Sequence, residues 1–284
     1  MKKNYNISSE KFIEPLVKEL IEELAAYFES INTDFCIVGA GARDIILKLH
    51  ELTPSRATRD LDVAITISDW SKYSKISSDL ENKVNFSKEN KIQHRFYYKN
   101  IIPLDIIPHG ENIIRDDKIF WPPDEQFEMS VLGFHEAVRS SSIVTIDDKV
   151  KINVVNFDGL FILKIIAWKD RHNTGNKDAE DIGLILNNYL EMNMEEALEH
   201  HFDIYEVEEF NQVTAGAKLL GRHIKEILGE NEKIIAQFSE ILYQEISKAE
   251  ESLLFSQIDE TTFILNIDEI VDSFQNIYNE ITAK

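Results

Sequence analysis

Asp60-Leu61-Asp62 is the segment whose residue types and spacing point most directly to chemistry. On an extended strand, residues i and i+2 project to the same face, so the two carboxylates emerge together while Leu61, Val63 and Ile65 turn to the core. Two like charges about 7 Å apart make each other harder to ionise. A divalent cation between them removes that penalty, and hard carboxylate oxygens suit Mg²⁺. Asp-x-Asp is also a common solvated strand end, so the pair needs support from elsewhere in the chain. Asp105, inside the apolar run Leu104-Asp105-Ile106-Ile107, supplies some. A buried carboxylate requires a partner, and two stand open: a metal, or Arg95 on an adjacent strand. Val38-Gly39-Ala40-Gly41-Ala42-Arg43-Asp44 reads as strand, tight turn and helix start. Glycine lets backbone approach a phosphate closely, and a helix N-terminus offers N–H groups to anions. The set is an anion cradle, two carboxylates from one strand and a third from another.

The elements that must position these residues follow from hydrophobic periodicity. Ile13, Leu16, Val17, Leu20, Ile21, Leu24 and Phe28 share one helical face, which predicts a helix over 10–30. Phe35-Cys36-Ile37-Val38 reads as a buried strand, and a second helix is expected over 42–51, with Pro54 and Ser55 in a loop after it. Residues 61–65 alternate as a strand, Trp70, Tyr73, Ile76 and Leu80 mark a helix, and strands are expected at 93–98 and 103–107. Asp147-Asp148 separates two strand candidates, 144–146 and 149–155, as a hairpin turn would. Helices follow over 158–171 and 177–189, then near 193–201, 205–229, 233–255 and 268–282.

Composition sets the outer limits. Lys+Arg number 30 against 51 Asp+Glu, a formal charge of −21, which excludes a broad basic coat for nucleic acid. Met1–Leu190 carries 30 acidic and 24 basic residues, a net of −6; Glu191–Lys284 carries 21 and 6, a net of −15. The texture changes from mixed strand and helix to helix at the same place, so two domains are expected, 1–190 and 191–284. The single Cys36 excludes an intrachain disulfide and a cysteine-rich zinc site. No apolar run reaches the roughly 20 residues that span a bilayer, and a cytoplasmic protein without a membrane partner is expected. The expected fold class is α+β, a mixed sheet with flanking helices followed by a C-terminal helical bundle.

The motif set resembles the nucleotidyltransferase fold, with its glycine turn, Asp-x-Asp and third Asp. More narrowly, Val38–Asp44 with Arg56-Ala57-Thr58-Arg59-Asp60-Leu61-Asp62 is similar to the AbiEii-type nucleotidyltransferase-like toxins of toxin–antitoxin systems. A second signature agrees: Leu163-Lys164-Ile165-Ile166-Ala167-Trp168-Lys169-Asp170-Arg171, followed by Lys177-Asp178-Ala179-Glu180-Asp181-Ile182. The likeness covers about residues 30–190. Two departures stand out: Ala40 holds the place of a second Gly or a Ser, and about 20 residues separate Gly39 from Asp60.

The resemblance implies Mg²⁺-dependent transfer of a nucleotidyl group from a nucleoside triphosphate to a hydroxyl, with one or two ions. Asp60 and Asp62 would be bridging ligands, and Asp105 would complete the metal site and take the hydroxyl proton. Gly39, Ala40 and Gly41 would present N–H groups to the β- and γ-phosphates. Arg43 and Arg59 either hold the triphosphate or pair with Asp44 and Asp60. Lys164 either contacts phosphate or packs its stem and reaches water. Asp178 takes a catalytic or lysine-orienting role by family likeness; by physics alone, Asp178 and Asp181 are carboxylates favoured at a helix start. The implied partners are an acceptor (an RNA end such as tRNA, a protein or a small molecule) and a cognate antitoxin. A short acceptor end fits a local basic stretch of Lys164, Lys169, Arg171 and Lys177. The competing reading is a nucleotide-binding or protein-interaction module that keeps the fold without turnover. His94 is a candidate substrate contact, Trp121-Pro122-Pro123 a pocket wall or a turn, and His200-His201 a surface helix end rather than a zinc site.

Overall fold

The computed structural model describes residues 3–11, 15–53, 58, 60–262 and 264–283. The chain divides into two compact units, 1–156 and 157–284. The first unit runs β1 (Asn4–Ile7), α1 (Pro15–Ser30), β2 (Phe35–Val38), α2 (Gly39–Leu49), β3 (Leu61–Thr66), α3 (Trp70–Glu81), β4 (Phe86–Lys88), β5 (Arg95–Tyr98) and β6 (Ile102–His109). It continues through β7 (Ile114–Arg115), β8 (Lys118–Phe120), β9 (Glu128–Ser130), α4 (Phe134–Arg139), β10 (Ser142–Ile146) and β11 (Val150–Val154).

Eight strands form one mixed sheet in the order β1-β10-β11-β2-β3-β6-β5-β4, and β7-β8-β9 form a small second sheet. The central strands are where the sequence is most apolar. All four residues of β2 are buried, as are seven of the eight in β6, the continuous pattern of strands covered on both faces. The 10–11 hairpin forms as Asp147-Asp148 predicts, both residues taking positive φ (50° and 55°), as a type I′ turn requires. The parallel pairing of β1 with β10, the short β4 and the small sheet lie outside what the sequence pattern predicts. The strands of the small sheet and β4 are two or three residues long, too short for periodicity to separate from loop, and β1, Asn4-Tyr5-Asn6-Ile7, offers a single aliphatic residue.

The second unit is helical: α5 (Phe157–Arg171), α6 (Lys177–Met192), α7 (Met194–His200), α8 (Gln212–Leu228), α9 (Glu232–Lys248), α10 (Leu253–Thr262) and α11 (Ile267–Thr282). Phe161 and Phe255 each pack on Phe274, with ring centroids 6.0 and 4.8 Å apart. The expected helix over 205–229 begins at Gln212, because the Asn211 side chain accepts from the N–H groups of Val213 and Thr214 and starts the helix there. The expected helix over 233–255 is two helices: Ala249 takes φ +46°, and the Ser252 hydroxyl accepts from the Phe255 N–H to start α10. The molecule is therefore α+β, a mixed sheet with flanking helices and a C-terminal helical region, as expected. The unit boundary at 156/157 and the charge step at 190, in the last turn of α6, mark different properties: compactness and composition.

Candidate active site

Strand register brings two of the candidate carboxylates to neighbouring positions. Asp62 on β3 pairs with Asp105 on parallel β6, and Val38, the last residue of β2, pairs with Asp62 from the other side. Partners in register point to the same face, so Asp62 and Asp105 stand side by side. Asp60 directly precedes β3, and its carboxylate accepts from the Thr58 hydroxyl at 3.0 Å.

Asp105 is only 6% exposed, and its partner in the structure is Arg95. The guanidinium donates from Nε to Oδ1 and from Nη2 to Oδ2, both at 2.7 Å. Hydrogen bonding to Asp105 holds Arg95 more firmly in its charged form against the opposing effect of burial, and Asp60 adds to the same field. A cation thus already sits at Asp105, which is the electrostatic demand that a divalent ion would meet; carboxylate oxygens are the hard donors that suit Mg²⁺, although among the described residues Asp60, Asp62 and Asp105 do not form a group with all donor atoms within 4.8 Å of one another. His94 Nε2 lies 3.7 Å from Asp105 Oδ2, its ring stacked on Phe127 and tilted against Trp121. Burial lowers the His94 pKa from its ordinary value, outweighing the pull of Asp105. Trp121, flagged in the sequence as a wall or a turn, is buried against Trp70, Tyr73, His94 and Phe127.

The glycine turn lies against Asp62. Gly39 has φ +63°, a conformation side chains disfavour, and a Cβ built there would stand 2.2 Å from Asp62 Oδ2. This turn lets α2 begin at Gly39 instead of the expected residue 42. The N-cap residue Val38 makes no side-chain hydrogen bond to that N-terminus; the first N–H groups of α2, at Gly39, Ala40 and Gly41, have no partner four residues back in the helix, and Gly39 lies beside Asp62.

Arg43 is fully buried, and its Nε and Nη2 donate to Asp44 Oδ1 at 2.8 and 2.6 Å. Asp44 Oδ2 in turn accepts from the Thr58 N–H at 3.4 Å, so this pair helps fasten the segment leading into Asp60. Arg59 lies outside the described residues, as do Arg56 and Ala57.

The second signature forms a cluster within the second unit. Lys164 on α5 is 7% exposed, and its ammonium meets Asp178 Oδ1 at 3.0 Å and the fully buried Asp181 Oδ2 at 2.6 Å, both on α6. Arg171 adds two bonds to Asp178, at 2.7 and 2.8 Å. Burial pushes the Asp178 carboxyl up, and the cations Arg171 and Lys164 more than offset it, so its pKa falls below the ordinary carboxylate value. The Lys164 head is therefore enclosed by carboxylates instead of reaching water. Lys169 and Lys177 flank the cluster along the chain.

Comparison with known proteins adds a family. The sequence model described as "Nucleotidyl transferase AbiEii toxin, Type IV TA system" matches residues 34–273, most of the chain. This chain belongs to the AbiEii family. The match covers both AbiEii signatures, Val38–Asp62 and Lys164–Asp181. No curated protein matches this chain significantly. Among solved structures, the AbiEii chain is similar to the antibiotic-resistance factor ANT(2'')-Ia, at 14% identity over 67% of this chain and 99% of that one, with a TM-score of 0.38. It is also similar to a CCA-adding enzyme solved with CTP, at 12% identity over 92% of this chain and 79% of that one, with a TM-score of 0.32. Among the described residues, no helix is long and apolar enough to cross a membrane.

Proposed function

We propose that this nucleotidyltransferase-family chain is a Mg²⁺-dependent enzyme that moves a nucleoside monophosphate from a triphosphate to an acceptor hydroxyl. The observation that carries the reading is the registered pair Asp62–Asp105 with the Gly39 turn against Asp62. Asp60, Asp62 and Asp105 would hold the metal, Asp105 giving up one Arg95 bond to do so. Bound there, Mg²⁺ would supply charge neutralisation for the phosphoryl oxygens, the nucleophile and the leaving group.

The rest of the work falls to the chain. The N–H groups of Gly39, Ala40 and Gly41 bind the β- and γ-phosphates, anions at a helix start. Ala40 brings no hydroxyl, so that contact is through backbone. The acceptor oxygen attacks the α-phosphorus, the bond to the bridging oxygen of the β-phosphate breaks, and pyrophosphate leaves. Asp105 takes the hydroxyl proton. On family likeness alone, Lys164, held in the structure by Asp178 and Asp181, is kept as a phosphate contact and Asp178 as its positioning residue. Arg43 is assigned to holding Asp44, and Arg59 is kept as a triphosphate contact on sequence grounds. We take residues 1–190 as the catalytic stretch and 191–284 as an accessory acidic domain. In this reading the chain is the toxin of a toxin–antitoxin pair, held in check by a cognate antitoxin, with an RNA end such as tRNA among its acceptors.

The test is incubation with each α-labelled nucleoside triphosphate, Mg²⁺ and cell extract. Label should pass to one acceptor with the wild type and fall at least a hundredfold with Asp62→Ala, the scale on which metal-held charge acts in such transfers. Nucleotide binding without transfer, whichever triphosphate is supplied, would leave a binding module in its place.

A further inference from the structure

His200-His201 has no Cys or His at ligand spacing in the sequence, and His200 is indeed exposed, 3.7 Å from Glu199. His201 has a different setting. The fold brings Glu196 of α7, His201 just after it and His223 of α8 together, with one donor atom from each within 4.8 Å of the others. Glu196 Oε1 and His223 Nε2 stand 3.4 Å apart, close to the edge of a tetrahedron of donors about 2.0–2.1 Å from a central ion. One oxygen and two imidazoles are the donor mix that suits Zn²⁺ and its neighbours rather than Mg²⁺.

An independent observation concerns what stands behind the ligand. The Tyr189 hydroxyl, on α6, lies 2.7 Å from His223 Nδ1. When Nδ1 carries the proton and donates it to that hydroxyl, the Nε2 lone pair faces Glu196. A ligating histidine is oriented in this way by the hydrogen bond its other nitrogen makes. The surrounding charges agree. Arg222 donates from Nη1 to His201 Nδ1 at 3.2 Å, but its charge is met by Asp203, at 2.8 and 2.5 Å, and by Glu280 at 3.3 Å. An ion taking His201 exchanges that one Arg222 bond and leaves the two to Asp203 in place. The Glu196 side chain, 33% exposed, gives access from solvent.

We propose that Glu196, His201 and His223 bind a divalent ion of the Zn²⁺ class, with water completing the coordination, and that the ion ties α7 to α8. The residues are other than the Asp60, Asp62 and Asp105 set, and the proposal stands whether or not that set binds Mg²⁺.

The experiment uses the full chain, stripped with chelator and carrying Asp60→Asn and Asp62→Asn so that the carboxylate set does not report. It is titrated with Co²⁺ and followed by visible absorption and equilibrium dialysis. One Co²⁺ per chain should bind with the intense ligand-field bands of a low-coordinate N/O site, and Zn²⁺ should displace it. His201→Asn, at a half-buried position, and His223→Asn should each abolish the bands. Tyr189→Phe should weaken binding roughly tenfold to a hundredfold. If His223→Asn fails to fold, His201→Asn decides. No uptake, or uptake that His201→Asn leaves intact, would overturn the proposal. So would a His223 that merely titrates against Glu196 while no metal binds.

Discussion

Arg95 holds both oxygens of Asp105, and that pair makes a residue-level prediction. Replacing Arg95 with Ala leaves a buried carboxylate without its cation. Breaking such a pair costs about 3 kcal/mol or more, less here because the Arg95 side chain is a quarter exposed. Urea unfolding should show a loss of about 2 kcal/mol, and Mg²⁺ should restore more stability to Arg95→Ala than to the wild type. A loss that Mg²⁺ leaves unchanged would remove Asp105 from the metal set. The sequence shows that Asp105 needs a partner, because an Asp sits among Leu104, Ile106 and Ile107. It leaves the partner's identity open, because that depends on the register of β5 against β6, which the turn between them sets. The same holds for Lys164: its buried neighbours are legible, its two carboxylates only once α5 and α6 are packed.

The junction of β2 and α2 is the element on which the phosphate reading depends. Gly39→Ala places a methyl group 2.2 Å from Asp62 Oδ2 in a left-handed conformation. The conformation alone costs about 1–2 kcal/mol, and the carboxylate must move as well. Nucleotide affinity, measured by calorimetry, should fall at least tenfold, and the unfolding free energy by at least about 1–2 kcal/mol. Unchanged affinity would dissociate the turn from the triphosphate. Glycine at this point is visible in the sequence, but the apolar pattern places the start of the helix three residues later, because Ala40 and Gly41 carry no periodicity. Near 249 the apolar spacing instead runs on through a break that one positive φ imposes on the backbone.

Over the whole molecule, −21 excludes a basic coat but not a local site, since −15 of it lies in residues 191–284. The compact units follow packing, which the charge step does not report. Stability should also depend on pH through His109, 2% exposed on β6. Burial, aided by His135, lowers its pKa from 6.5 to about 4. The native imidazole therefore stays neutral to about 4 while the unfolded one protonates near 6.5, so the unfolded chain binds more protons between them. Stability should fall by about 3 kcal/mol as pH drops from 6.5 to 4, with a shallower slope in His109→Asn; an identical slope in that variant would locate the acid sensitivity elsewhere. The central claim, nucleotidyl transfer, is tested most directly by supplying one triphosphate labelled at either the α- or the γ-phosphate, with Mg²⁺ and acceptor. The account predicts α-label on the acceptor and γ-label in released pyrophosphate; γ-label on the acceptor, or hydrolysis to free phosphate without transfer, would contradict it.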